Sequence, residues 1–168
     1  MYINKHFLLK RFPKLELSYE KVLHSKVYAD VYFLIPKGKK VMLWFTYYDN
    51  KNVCLIIEFD KRNNIANFRP KIVSFESSLA YGTVLYGTLF RHNHIECFSC
   101  ENIHYYKGKK VEYLPYGKKI NLLQTLLSTE ISQKIYLPQM LFIACPIIAT
   151  DYDHLLLHLP KSYVSYSI

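Results

Sequence analysis

The strongest constraint on the fold is a run of β-forming residues cut by short polar turns. Ala29-Asp30-Val31-Tyr32-Phe33-Leu34-Ile35 leads to Pro36-Lys37-Gly38-Lys39, and Lys40 to Tyr48 follows as a second run. Asp49-Asn50-Lys51-Asn52 then turns into a third, Val53 to Phe59. Short strands joined by polar turns are the signature of antiparallel neighbours, so the segment predicts a meander. Further strands are expected at Thr83–Phe90, Ile95–Ser99 and Lys110–Leu114. Gly87 inside the first of these points to a bulge or a close backbone approach.

Helical spacing comes late. Ile120, Leu122, Leu123, Leu126 and Leu127 form an apolar stripe between Gly117 and Ser128. A short helix is expected around Leu155-Leu156-Leu157, with Thr150 as its N-cap and Asp151 and Asp153 in its first turn, ending before Pro160. An extended tail follows at Ser162–Ile168. The expected class is α+β, mostly antiparallel sheet with a few flanking helices. No repeat or linker composition divides the chain, so residues 1–168 read as one domain. It has a basic segment at 1–20, a strand-rich part at 21–114, and helices with a final strand at 115–168.

Half of the 168 residues are apolar and only 21 % are charged, which excludes intrinsic disorder. Met1–His6 lacks the apolar stretch of a signal peptide, and the run Met140–Ala149 is broken by Pro146 and too short for a membrane span. The expected setting is intracellular, in cytoplasm, nucleus or a virus factory, or else a virion, with four reduced cysteines.

The excess of 22 Lys and Arg over 13 Asp and Glu gives a charge of +9. Such a charge suits RNA, DNA or an acidic protein surface, and equally a surface kept basic for solubility. Several basic groups are interleaved with aromatics. Lys5, Lys10, Arg11 and Lys14 surround Phe7 and Phe12, while Lys37, Lys39 and Lys40 form one hairpin tip. Tyr105-Tyr106-Lys107-Gly108-Lys109-Lys110 forms another, followed by Tyr116-Gly117-Lys118-Lys119. Lysine attracts phosphate and tyrosine offers a stacking face for a base, which makes Lys107, Lys109 and Lys110 candidate ligands. The alternative is solvated lysines beside half-buried sheet tyrosines.

Catalytic and metal motifs fare less well. His92, His94, Cys97 and Cys100, with His104 nearby, hold the donors of a zinc site. Yet Phe98-Ser99 is no knuckle turn, and in a strand Cys97 and Cys100 would face opposite ways. Strand and polar turn is the preferred reading, and neither a metal nor a cofactor is expected. A Cys97–Glu101–His104 triad can be drawn, but a chain with four Cys and seven His offers many such trios. Phosphate-binding glycine runs and nucleophile elbows are absent.

Three segments in order resemble the covalent nucleotidyltransferase superfamily, which includes the mRNA capping guanylyltransferases, the ligases and the cap-binding domain of snurportin. Lys26-Val27-Tyr28-Ala29-Asp30-Val31 has the spacing of the family's K-x-D-G-x-R, with its Asp-Gly replaced by Tyr28-Ala29 and its Arg by Val31. Thr83 to Phe90 resembles the strand ending D-G-E, where Gly87 is kept and the acids are Tyr86 and Thr88. Phe98 to Gly108 resembles the strand and turn that precede a helix in the family. No E-G-x-V-x-K occurs in the tail.

The resemblance implies a nucleotidyltransferase-like fold, with Lys26 in the place of the nucleophile. A lysine nucleophile needs a lowered pKa and a metal-bound nucleotide, and the acids for both are replaced. The implied protein is a pseudo-enzyme that binds a nucleotide or RNA, capped RNA included. Tyr28, Tyr32, Trp44 and Tyr86 would build an aromatic pocket for a cap guanine, although Trp44 equally suits plain core packing. A structural or assembly subunit of a virion or transcription complex, binding a protein partner, is the alternative. An active transferase using Lys26 is the third reading.

Overall fold

The computed structural model describes residues 5–15, 29–157 and 166–167. Its elements are α1 (Lys5–Arg11), β1 (Tyr32–Pro36), β2 (Lys39–Tyr48), β3 (Lys51–Phe59), β4 (Ile65–Lys71), β5 (Ser74–Phe75), a 3-10 turn (Ser77–Tyr81) and β6 (Thr83–His92). After these come β7 (Ile95–Tyr106), β8 (Lys109–Lys110), α2 (Tyr116–Thr129), β9 (Ile131–Ser132), β10 (Phe142–Ala144), β11 (Ile147–Ala149), α3 (Tyr152–Leu157) and β12 (Tyr166–Ser167). The class is mixed α+β with mostly antiparallel pairing, as expected.

Three hairpins share one local solution. The loop residues Asp49 and Asn50, Asn93 and His94, and Lys107 and Gly108 all have positive φ, from 47° to 80°. Each pair joins strands in register directly across the turn, at Tyr48↔Lys51, His92↔Ile95 and Tyr106↔Lys109. Two consecutive left-handed residues match the twist of the flanking strands, and Asn, Asp, His and Gly enter that region most readily. His92-Asn93-His94 is therefore turn chemistry. Among the described residues no three His, Cys, Asp or Glu side chains are gathered to hold a metal ion.

The large sheet runs β10-β7-β6-β2-β3-β4, with β10 parallel to β7 and the rest antiparallel. The segment entering β10 also reaches the opposite edge. Leu141 N–H donates to the Ile72 carbonyl at 3.0 Å, and Met140 bridges Ile72 just beyond β4. The two edges are thus tied and the sheet curls on itself. Its inner face holds Val41, Leu43, Phe45, Ile56, Leu85, Phe98 and Ile143, against which α2 packs Leu123, Leu126 and Leu127. On the outer face lie Met42, Trp44, Leu55, Ile57 and Val84, covered by Leu8 and Phe12. Because β2 and β3 are buried on both faces, their sequences read as continuous apolar runs. Two smaller antiparallel sheets, β11-β1-β12 and β5-β9, complete the fold.

Several expectations are corrected. The strand expected at Lys110–Leu114 stops at Lys110: after one further bond, from Val111 N–H to the His104 carbonyl at 2.9 Å, the chain turns, with Leu114 N–H donating to the Val111 carbonyl at 3.1 Å and Pro115 following. Between Asp151 and Thr150 it is Asp151 that caps α3: its carboxylate accepts from Asp153 N–H at 3.2 Å and its carbonyl from Leu155 N–H at 3.1 Å. The strand expected from Ala29 begins at Tyr32, and it does not pair with β2 as the expected meander requires. β1 lies between β11 and β12 in a separate sheet while β2 pairs with β3 and β6, so Lys37, Lys39 and Lys40 stand at a connection between sheets and form no hairpin tip. Of the extended tail only Tyr166–Ser167 is described, paired with β1. Neither α1 nor β4 was expected. β4 carries Pro70 and little alternation, which an edge strand tolerates.

Glu96 links the two sides of the curled sheet, pairing with Arg69 at 2.5 Å and Lys71 at 2.6 Å. Burial raises its carboxyl pKa, but hydrogen bonds from both cations outweigh this and hold it below the usual range. A depressed carboxylate contributes stability above its unfolded pKa and loses it as pH falls through the folded one. Glu96→Gln is therefore expected to cost about 1 kcal/mol at pH 7. The gap from wild type should close as pH falls through the acid range, as read by urea unfolding; a gap independent of pH would contradict this.

Candidate functional site

A polar patch forms where β2, β6 and β7 lie side by side, and two irregularities in β7 create it. Tyr86 pairs with Asn102 while Gly87 pairs with Cys100, which leaves Glu101 as an extra residue. Val84 pairs with Tyr105 while Leu85 pairs with Ile103, which leaves His104 as another. A bulge re-aims the side chain of its extra residue. Glu101 and His104 are consequently turned toward groups that a regular strand would not let them meet.

Lys40 Nζ reaches Glu101 Oε2 at 2.5 Å, and Thr88 Oγ1 donates to Glu101 Oε1 at 2.5 Å. The Tyr116 hydroxyl, at the start of α2, donates to the Glu101 carbonyl at 2.7 Å. Burial and the nearby Glu101 push the Tyr116 phenol up to about 12. His104 Nδ1 lies 2.7 Å from Glu112 Oε1, while Lys110 Nζ lies 2.9 Å from Glu112 Oε2. Burial holds the His104 pKa below its ordinary value despite the Glu112 contact, and the charges of Lys119 and Lys110 act in the same direction. The imidazole is thus neutral at pH 7.

Tyr86 joins the two groups. Its ring centroid is 5.8 Å from Lys40 Nζ and 6.2 Å from the His104 ring, edge-on. The ammonium lies within the range of a cation–π contact. The charge of Lys119, on α2, is felt at His104. The two carboxylates each hold a lysine, and the half-buried Tyr86 ring packs between the two pairs at the edge of the outer core. Neither carboxylate is left without a cation.

Of the residues expected to bind, Tyr86 and Lys110 fall in this patch. Lys107 and Lys109 share the neighbouring hairpin tip, where Lys107 Nζ pairs with Glu130 at 3.0 Å and lies 5.0 Å from the Tyr106 ring centroid. Trp44 does not line an open pocket. It is 2 % exposed on the outer core, with Phe12 edge-on at 5.2 Å, so its ring faces are taken up by packing. Tyr32 sits on the small sheet against Tyr152 at 5.7 Å, its hydroxyl accepting from Ala29 N–H at 3.2 Å. Lys26 and Tyr28 lie outside the described residues.

The sequence reading placed Lys40 and Lys119 in basic clusters and set the Cys97–Glu101–His104 triad aside, so none of Lys40, Glu101, His104 and Lys119 was among the expected ligands. The available signal was an acid and an imidazole inside an otherwise apolar strand. Among the described residues no helix is long and apolar enough to cross a membrane. No protein-family model matches the chain, and no curated protein matches it in sequence.

Proposed function

We propose that this chain is a non-catalytic nucleotide- or RNA-binding module on a degenerate capping-enzyme-like fold, acting in an intracellular or virion setting. The observation that carries the reading is the content of the patch around Gly87. Where the resembled family has two acids, Tyr86 and Thr88 stand, and both face Lys40. The carboxylates that do occur there, Glu101 and Glu112, are bound by Lys40 with Thr88 and by Lys110 with His104. An aromatic ring beside lysines favours a base and a phosphate, while carboxylates already spoken for by cations disfavour metal-assisted transfer.

The test is anisotropy of short labelled RNA, capped and uncapped, across a salt series. Binding should fall linearly with the logarithm of salt concentration, and a preference for capped RNA that survives higher salt would identify base stacking. Tyr86→Ala should weaken binding about tenfold, the size of a lost stacking contact. Equal affinity for the variant would contradict a role for the ring. Incubation with labelled GTP or ATP should leave no covalent adduct; an adduct lost in Lys26→Ala would establish the active transferase instead.

The second reading, a structural or assembly subunit, is favoured by large exposed aromatics. Tyr81, Tyr113 and Tyr136 are 78 %, 79 % and 73 % exposed, and tyrosine is enriched at protein interfaces. Absence of RNA binding at low salt would move the assignment there.

A further inference from the structure

We infer that the gap between the large sheet and the β11-β1-β12 sheet is a binding pocket for a small uncharged aromatic molecule carrying one hydrogen-bonding group. The pocket shares no residue with the polar patch, and the inference does not rest on the RNA-binding reading. Its origin lies in the way the chain changes sheet. After β10 the chain leaves its parallel pairing with β7, passes through Cys145-Pro146 and joins β1 as β11. Pro36 ends β1, beyond which the chain returns to the large sheet as β2. Both prolines line the pocket. Lacking an N–H, neither can donate a backbone bond that would close the sheets together at these crossings.

The floor comes from one face of the large sheet. Alternate residues of a strand share a face, so Cys97 and Ser99 of β7 lie on the same side as their partners Phe142 and Ala144 of β10. Phe90 of β6 pairs with Cys97 and extends that side. The roof is Leu34 of β1 and Ile147 of β11, which pair directly with each other. Together these walls enclose about 170 Å³. Phe142 and Ile147 are 37 % and 41 % exposed, which places them at the mouth.

Among the described residues no charged side chain lines the pocket. Burial pushes the Cys97 and Cys145 thiols up, so both are neutral at pH 7. A charged ligand would lose its hydration here and gain no counter-charge. An apolar cavity of about 150 Å³ stays dry and takes benzene, so the space suits one aromatic ring with a small substituent. Phe90 and Phe142 offer that ring aromatic partners. The polar contact comes from Ser99, which is 5 % exposed and whose hydroxyl has no hydrogen-bond partner. A buried hydroxyl left unpaired is costly, and a ligand group that meets it recovers the loss. Small-molecule sites are built this way, mostly apolar with a few polar groups that fix orientation.

The experiment titrates the full chain with phenol and, separately, with toluene, which has the same shape and no hydroxyl. Backbone amide signals are followed by NMR. Both compounds should give saturable shifts centred on residues 97–99 and 142–147. Ser99→Ala should weaken phenol about fivefold, the size of one neutral hydrogen bond, and leave toluene unchanged. Ala144→Leu places a larger side chain on the floor and should abolish both. If that variant fails to fold, the wild-type shifts and Ser99→Ala still decide. No saturable shifts, shifts centred elsewhere, or unchanged binding in folded Ala144→Leu overturns the pocket. Phenol affinity untouched by Ser99→Ala overturns the hydrogen-bonding part of the inference. Binding of phenol with no binding of RNA leaves the pocket standing and removes the RNA-binding reading alone.

Discussion

Gly87→Ala is expected to cost more than about 3 kcal/mol, or to prevent folding. A Cβ at Gly87 would stand 1.9 Å from the Ser99 carbonyl oxygen and 2.9 Å from Phe98 Cζ. Neither neighbour can yield cheaply. Ser99 is held between β6 and β10 by pairing with Thr88 and Ala144, and Phe98 is in the inner core at 1 % exposure. The added methyl must therefore separate β6 from β7 at the bulge that places Glu101. Urea unfolding of the purified variant checks this. A loss below about 1 kcal/mol would mean that the two strands are not packed this closely.

The second large effect is at Glu101. Removing its carboxylate leaves Lys40 and Thr88 without the acceptor they share. Breaking one partner of a buried pair costs about 3–5 kcal/mol. Lys40 keeps some contact with water, so Glu101→Ala is expected near the lower end. If the cost comes from the lost attraction between the Lys40 ammonium and this carboxylate, Lys40→Met in the same chain should add less than its own separate cost. The double variant would then be more stable than the sum of the two single losses predicts. Additive losses would show that the pair is not coupled.

Much of the fold was legible because its signals are local. Asp49-Asn50 and Lys107-Gly108 carry the residue types that left-handed turns require, and the stripe Leu123, Leu126, Leu127 marks the buried side of α2. Gly87 was readable as a close approach because a glycine in an apolar strand has few other uses. What escaped was set by tertiary contact. Helix α1 gains its place from Leu8 and Phe12 closing over Trp44, and β4 from pairing with β3, neither of which leaves a periodic pattern.

The same distinction separates the site residues. Lys110 was expected from a basic cluster visible in the sequence, and Tyr86 only from the resemblance of Thr83–Phe90 to the family's D-G-E strand. Glu101 and His104 were missed because a bulge re-aims them, and the bulges arise from the pairing of β6 with β7. Trp44 looked like a stacking residue only while its cover was unknown.

The most direct test of the central proposal is to map backbone amide shifts of the full chain on titration with a short RNA. The account predicts saturable changes concentrated at Lys40, Tyr86, Glu101, His104 and the first turn of α2, with few on β4. Saturable changes centred elsewhere, or none at low salt, would contradict it.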